Sequence, residues 1–156
     1  MIKVIRVDHR LLHGQVVFSW TKFANIERVI VIDTATANDD FKKMSLKLAK
    51  PEDIKLNVFS VDAAIEKIDR IKALDDNIML LFENVTELSK FIDAYGPVEE
   101  INYGLIPSKD GAKRFSNAIY LLPEEVELTK KMCDQGIKIS MQQVPSSNKE
   151  LLNNLI

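Results

Sequence analysis

The sequence predicts an α/β fold: an open, doubly wound, mostly parallel sheet of about six or seven strands with helices on both faces. Two patterns carry this expectation. Short runs rich in β-branched residues alternate with longer runs whose apolar residues recur at helical spacing. The run Arg28–Ile32 (RVIVI) is apolar almost without a break, as in parallel strands covered on both sides. With 156 residues, no internal repeat and no long linker, the chain is expected to form a single domain over residues 1–156.

The elements follow in order. Ile2–Val7 is the first strand and Gly14–Phe23 the helix after it; Arg28–Ile32 is the second strand. Asn38–Lys50 reads as a helix with Phe41, Met44, Leu48 and Leu46 near one face. Asn38 or Asp39 caps it, and Pro51 stands past its end. Lys55–Ser60 is the third strand, and Val61, Ala64, Ile65 and Ile68 mark a helix over Val61–Ile71. Asn77–Phe82 is the fourth strand, followed by a helix capped by Thr86 that runs to Tyr95 and stops at Gly96-Pro97. Glu100–Gly104 is the fifth strand. Ile106–Lys113, with Pro107, Ser108, Asp110 and Gly111, is the most loop-like stretch. Arg114–Leu122 holds a sixth strand. Pro123 opens a helix with Glu124 and Glu125 in its first turn, where the helix dipole favours them, and Gly136 ends it. Lys138–Val144 is the last strand and Ser147–Leu155 a closing helix.

Composition narrows the function. Net charge is −2 and no basic stretch stands out, which argues against nucleic acid as a partner. Cys133 is the one cysteine, so neither a disulfide framework nor a Cys-rich zinc site is expected, and it reads as a small buried hydrophobe. Charges interrupt the N-terminal run MIKVIRVDHR, which excludes a signal peptide. No stretch approaches the ~20 apolar residues of a membrane helix. The expectation is a cytoplasmic protein without direct membrane insertion. Neither G-x-x-x-x-G-K-[ST] nor G-x-G-x-x-G occurs. No cofactor and no metal are expected; Asp33 and Asp39, after the second strand, suit helix capping better than magnesium.

Open parallel sheets bind ligands beyond the carboxyl ends of their strands, where strand order reverses. The segment after strand one is Asp8-His9-Arg10-Leu11-Leu12-His13-Gly14-Gln15, and it holds both histidines. It also leads into a helix N-terminus, which suits a phosphate. A phosphocarrier needs a nucleophile that is partly neutral near pH 7, and His13 provides an imidazole. Arg10 offers a forked donor for phosphoryl oxygens, Asp8 a carboxylate to orient the ring, and Gly14 close backbone approach. Positioning and charge stabilisation dominate phosphoryl transfer, so this short set suffices. His9 is the alternative nucleophile, lacking the glycine and helix start that follow His13; protonated, it would disfavour a second charge on His13. Arg6 and Gln15 are further candidates for the phosphate, and Lys109 and Lys113 lie on a loop at the same sheet edge. Trp20 reads as core packing with Val16, Val17 and Phe23.

Three readings remain open at this level: a covalent phosphocarrier, a non-catalytic phosphate- or nucleotide-binding module, and a small hydrolase with His13 as general base. The absence of a serine or cysteine nucleophile beside the loop weighs against the last.

The stretch Arg6–Val16, RVDHRLLHGQV, resembles the signature of IIB components of the mannose/fructose/sorbose class of the bacterial phosphoenolpyruvate-dependent sugar phosphotransferase system. That signature typically reads R-x-D-D-R-L-I-H-G-Q-V. The resemblance places the phosphorylated histidine at His13, the assisting arginine at Arg10 and the first aspartate at Asp8; His9 replaces the second. Further likenesses are Trp20, Ala37-Asn38-Asp39, Ala49-Lys50-Pro51, Asn102-x-Gly104 (with Leu105 in place of a second glycine) and Gln143-Val144-Pro145. The resemblance implies a protein-phosphohistidine–sugar phosphotransferase. A phosphorylated IIA subunit would donate to His13, which would pass the group to a sugar moved by membrane subunits IIC and IID. The protein would then sit at the inner face of the membrane through those partners.

Overall fold

The computed structural model describes residues 1–156. Nine strands, seven α-helices and a closing 3₁₀ turn alternate along the chain. They are β1 (Ile2–Asp8), α1 (Gly14–Phe23), β2 (Arg28–Ile32), α2 (Thr34–Ala37), α3 (Asp40–Ala49), β3 (Lys55–Phe59), α4 (Val61–Glu66), α5 (Ile68–Ala73), β4 (Ile78–Phe82), α6 (Val85–Tyr95), β5 (Glu100–Leu105), β6 (Lys113–Arg114), β7 (Tyr120–Leu121), α7 (Pro123–Asp134), β8 (Lys138–Met141) and β9 (Glu150–Leu151). Seven strands form one sheet in the order β3-β2-β4-β1-β5-β8-β9, with only β9 antiparallel. The expected α/β class and sheet size hold.

Two cores flank the sheet. One face packs Val17 and Trp20 of α1 and Leu46 of α3 against Val29, Val31, Met79 and Leu81. The other packs α4, α6 and α7 residues such as Ala64, Leu88, Phe91 and Met132 against Val7, Leu80 and Tyr103. Strands β2 and β4 are buried nearly throughout, which explains their unbroken apolar runs. Thus β1 sends its connection to the α1 face, while both neighbours, β4 and β5, send theirs to the other. The reversal expected beside strand one is present, and the loop after β1 lies in it. No helix is long and apolar enough to cross a membrane.

Several expectations differ from the structure. The strand expected over Arg114–Leu122 is a small antiparallel hairpin, β6–β7, folded back at Ser116-Asn117. The helix expected over Ser147–Leu155 is replaced by β9 and the 3₁₀ turn Leu152–Leu155. There the Ser147 hydroxyl donates to the Val144 carbonyl, and Asn153 accepts from Ile139 N and donates to Ile137 O. These tertiary bonds along β8 displace the helical ladder. Asn84 rather than Thr86 caps α6, accepting from Glu87 N at 2.9 Å. The helix expected over Val61–Ile71 breaks at Lys67 into α4 and α5. Asp39 caps α3 as expected, accepting from Lys42 N at 3.1 Å. Of that helix's apolar residues only Leu46 is buried; Phe41, Met44 and Leu48 face solvent.

Candidate functional site

The loop after β1 is anchored from below. Arg6 and Asp8 are two residues apart on a strand and so share one face, the α1 face. Both are buried, at 2% and 1% exposure, and Arg6 Nη2 donates to Asp8 Oδ2 at 3.0 Å. Arg6 Nη1 donates to the Asn102 side-chain oxygen and, at 3.1 Å, to the Gln142 carbonyl. Asn102 Nδ2 donates to that same carbonyl at 3.1 Å. The guanidinium carbon lies 5.3 Å from the Trp20 ring centre. Below it is Gly104, where a Cβ would overlap the guanidinium. Burial pushes the Arg6 guanidinium down from its ordinary value, and Asp8 opposes that shift.

Asp8 then holds Arg10. Its Oδ1 accepts from Arg10 N at 2.9 Å and Nε at 3.1 Å, and its Oδ2 accepts from Arg10 Nη2 at 3.1 Å. Arg10 is half-buried, and its Nη1 stays free of these bonds. The chain turns through Leu11 at φ 56° and Gly14 at φ 37°. Leu11 and Leu12 tuck into the α1-side core, which pins the turn. His13 is the N-cap of α1, with extended backbone and no side-chain capping bond. Its ring, Gly14 and Gln15 are exposed. The first turn of α1 carries no acidic residue, so no carboxylate of its own competes for its unpaired N–H groups. Trp20 Nε1 donates to the Gln143 carbonyl at 2.9 Å and ties α1 to the end of β8.

Two sequence expectations change. Asp8 does not orient the His13 ring: both its oxygens are taken by the two arginines, and what it orients is Arg10. Arg6, expected at the phosphate, lies beneath the loop with both terminal nitrogens bonded to Asp8, Asn102 and the Gln142 carbonyl. His9 points away toward β4, with Nδ1 3.7 Å from Glu83 Oε1. Burial, then the neighbouring Asp33 carboxylate, push the Glu83 carboxyl above its ordinary range; His9 and Lys42 partly offset this. Lys109 pairs with Glu125 at 3.5 Å, and Lys113 lies over Phe115. Cys133 is half-buried, and burial pushes its thiol up.

Sequence reasoning gave Asn102 and Gly104 no task. The signal was there as period-two alternation: both point to the face of Arg6 and Asp8, while Ile101 and Tyr103 point to the other core. A cavity of about 770 Å³ opens at the amino ends of β1 and β5, where Ile2–Ile5 pair only with β4. It touches none of the loop residues 8–15, and the chemistry lies with the loop.

Fold and loop together describe an α/β domain whose switch-point loop carries an exposed histidine at a helix start and an arginine fixed by a buried carboxylate, the form of a phosphate-handling protein. Residues 2–156 match the family described as the sorbose subfamily IIB component of the PTS, the sugar phosphotransferase system, and the chain belongs to that family. It acts as a phosphocarrier in sugar uptake. It is 32% identical over 151 residues to the sorbose-specific EIIB component of Lacticaseibacillus casei, covering 95% of this chain and 92% of the relative. It is 29% identical to the mannose-specific EIIAB component of Escherichia coli K12, matching 100% of this chain but 48% of that longer protein. The IIB domain of the sorbose permease from Klebsiella pneumoniae superposes with a TM-score of 0.91 at 26% identity, over 99% of this chain and 94% of that one.

Proposed function

We propose that His13 is the residue that carries the phosphoryl group. A neutral ring nitrogen attacks phosphorus on a phosphorylated IIA subunit; a new N–P bond forms as the donor's N–P bond breaks. Arg10, held by Asp8, offers its free Nη1 to the phosphoryl oxygens in flight, and the unpaired N–H groups of Gly14 and Gln15 hold them afterwards. The group then passes to a sugar hydroxyl delivered by membrane subunits IIC and IID: the sugar O–P bond forms as the His13 N–P bond breaks, and the hydroxyl proton is given up as the neutral imidazole is restored. The protein works in the cytoplasm, at the membrane through those subunits, as one domain. The observation that carries the reading is the exposed His13 at a helix start, free of any capping bond, on the same loop as a guanidinium that Asp8 holds by one edge.

The test is transfer of labelled phosphate from phosphoenolpyruvate through enzyme I, the histidine phosphocarrier protein and a mannose- or sorbose-type IIA domain. The expected label is acid-labile and base-stable, lost in His13→Ala and retained in His9→Ala. A label that survives His13→Ala would remove the assignment. Binding of phosphate without any label, unchanged in His13→Gln, would favour the non-catalytic module instead.

A further inference from the structure

We infer that the outward stripe of α3, Phe41, Met44 and Leu48, anchors the phosphoryl-donor protein through an apolar groove rimmed by carboxylates. This rests on the phosphocarrier reading above. The three side chains are 80%, 58% and 81% exposed. They account for three of the seven exposed large hydrophobics in the chain, all on one ten-residue helix. Single exposed apolar residues need no explanation, but these stand at i, i+3 and i+7 and share one face. That spacing is the anchor pattern of a helix laid into an apolar groove.

Position selects the occupant. Asp33 ends β2 at the carboxyl edge of the sheet and caps α2, which leads directly into α3. Ile32 pairs in register with Phe82, so Asp33 sits beside Glu83, whose carboxylate lies 3.7 Å from His9 on the phosphoryl loop. A donor that covers His13 with an ordinary footprint of about 800 Å² reaches well past a loop of this length. The start of α3 lies in that path.

Charge selects the groove's chemistry. Lys42 and Lys47 flank the stripe without ion-pair partners, whereas Lys43 is 3.5 Å from Asp40. A rim of carboxylates would complement them. A second copy of α3 would set lysine against lysine.

The experiment measures KM and kcat for transfer to this chain from a phosphorylated mannose- or sorbose-type IIA domain that labels the wild type. For Phe41→Ser/Leu48→Ser, KM is expected to rise about tenfold or more while kcat holds, as for loss of clustered anchors. Lys47→Glu gives a smaller rise that shrinks at high salt. Melting temperatures should match wild type, because the replaced groups are already in water. A KM within about twofold of wild type in both variants overturns the inference. So does an unchanged KM accompanied by lost binding to phosphatidylglycerol vesicles or lost self-association. A wild-type chain that no IIA domain labels overturns the carrier reading itself, and this inference with it.

Discussion

Replacing Gly104 with alanine puts a methyl group where the Arg6 guanidinium lies. A flexible side chain would usually move aside, but this one is held by Asp8 at 3.0 Å, by Asn102 and by the Gln142 carbonyl at 3.1 Å, with Trp20 above. The methyl therefore breaks a buried ion pair. Removing one partner of such a pair costs about 3–5 kcal/mol. Arg10 still pairs with Asp8, so the lower end applies, about 3 kcal/mol. With a urea dependence of about 2 kcal/mol/M, the unfolding midpoint falls by about 1.5 M. Trp20 is the one tryptophan, so its fluorescence reports the transition from within the affected cluster. In an Arg6→Met background the same glycine substitution should cost much less, since the displaced group is no longer charged. A Gly104→Ala cost within about 0.5 kcal/mol of zero, or an equal cost in both backgrounds, would refute the reasoning.

Glu83 gives a pH test, with Asp33, His9 and Lys42 as the charged groups facing it. Its folded-state pKa is raised, so the stability it contributes is full below the ordinary carboxylate value and is lost as pH climbs through the raised one. Glu83→Gln should then melt higher than wild type above that window and gain nothing below it; parallel melting curves across pH would contradict this. Trp20→Phe removes the 2.9 Å bond to the Gln143 carbonyl and should cost about 1–2 kcal/mol, read by circular dichroism in urea. A loss under about 0.3 kcal/mol would mean the bond holds nothing. Asn102→Ala leaves Arg6 short of an acceptor and should slow transfer to His13 more than it raises KM for the donor, because its effect reaches the phosphate only through Asp8 and Arg10. An effect on KM alone would place Asn102 outside this chain of support.

Much of the fold was legible because strand and helix periods differ. Val29, Val31, Leu80 and Phe82 had to be buried whichever neighbours they found, and their strands were placed within a residue or so. The lost closing helix lies at the sheet's far side, where the choice was tertiary. Residues 147–155 have a helical pattern, yet β8 offered open backbone, and Asn153 and Glu150 took it. The site was legible in part. The loop's position, its nucleophile and its helix start follow from chain order and residue type. The direction of Asp8 does not, because a carboxylate between two arginines and a histidine goes to whichever partners the neighbouring strands bring near. Asn102 and Gln142 deliver Arg6 from β5 and the end of β8, nearly a hundred or more residues along the chain, and no local pattern records that meeting.

The most direct measurement is tandem mass spectrometry of the chain after phosphorylation by an IIA donor, kept at alkaline pH to preserve phosphohistidine. The expected spectrum places one phosphoryl group on His13 and leaves His9 unmodified. A phosphoryl group on His9 or on any other residue, with His13 bare, would contradict the account at its centre.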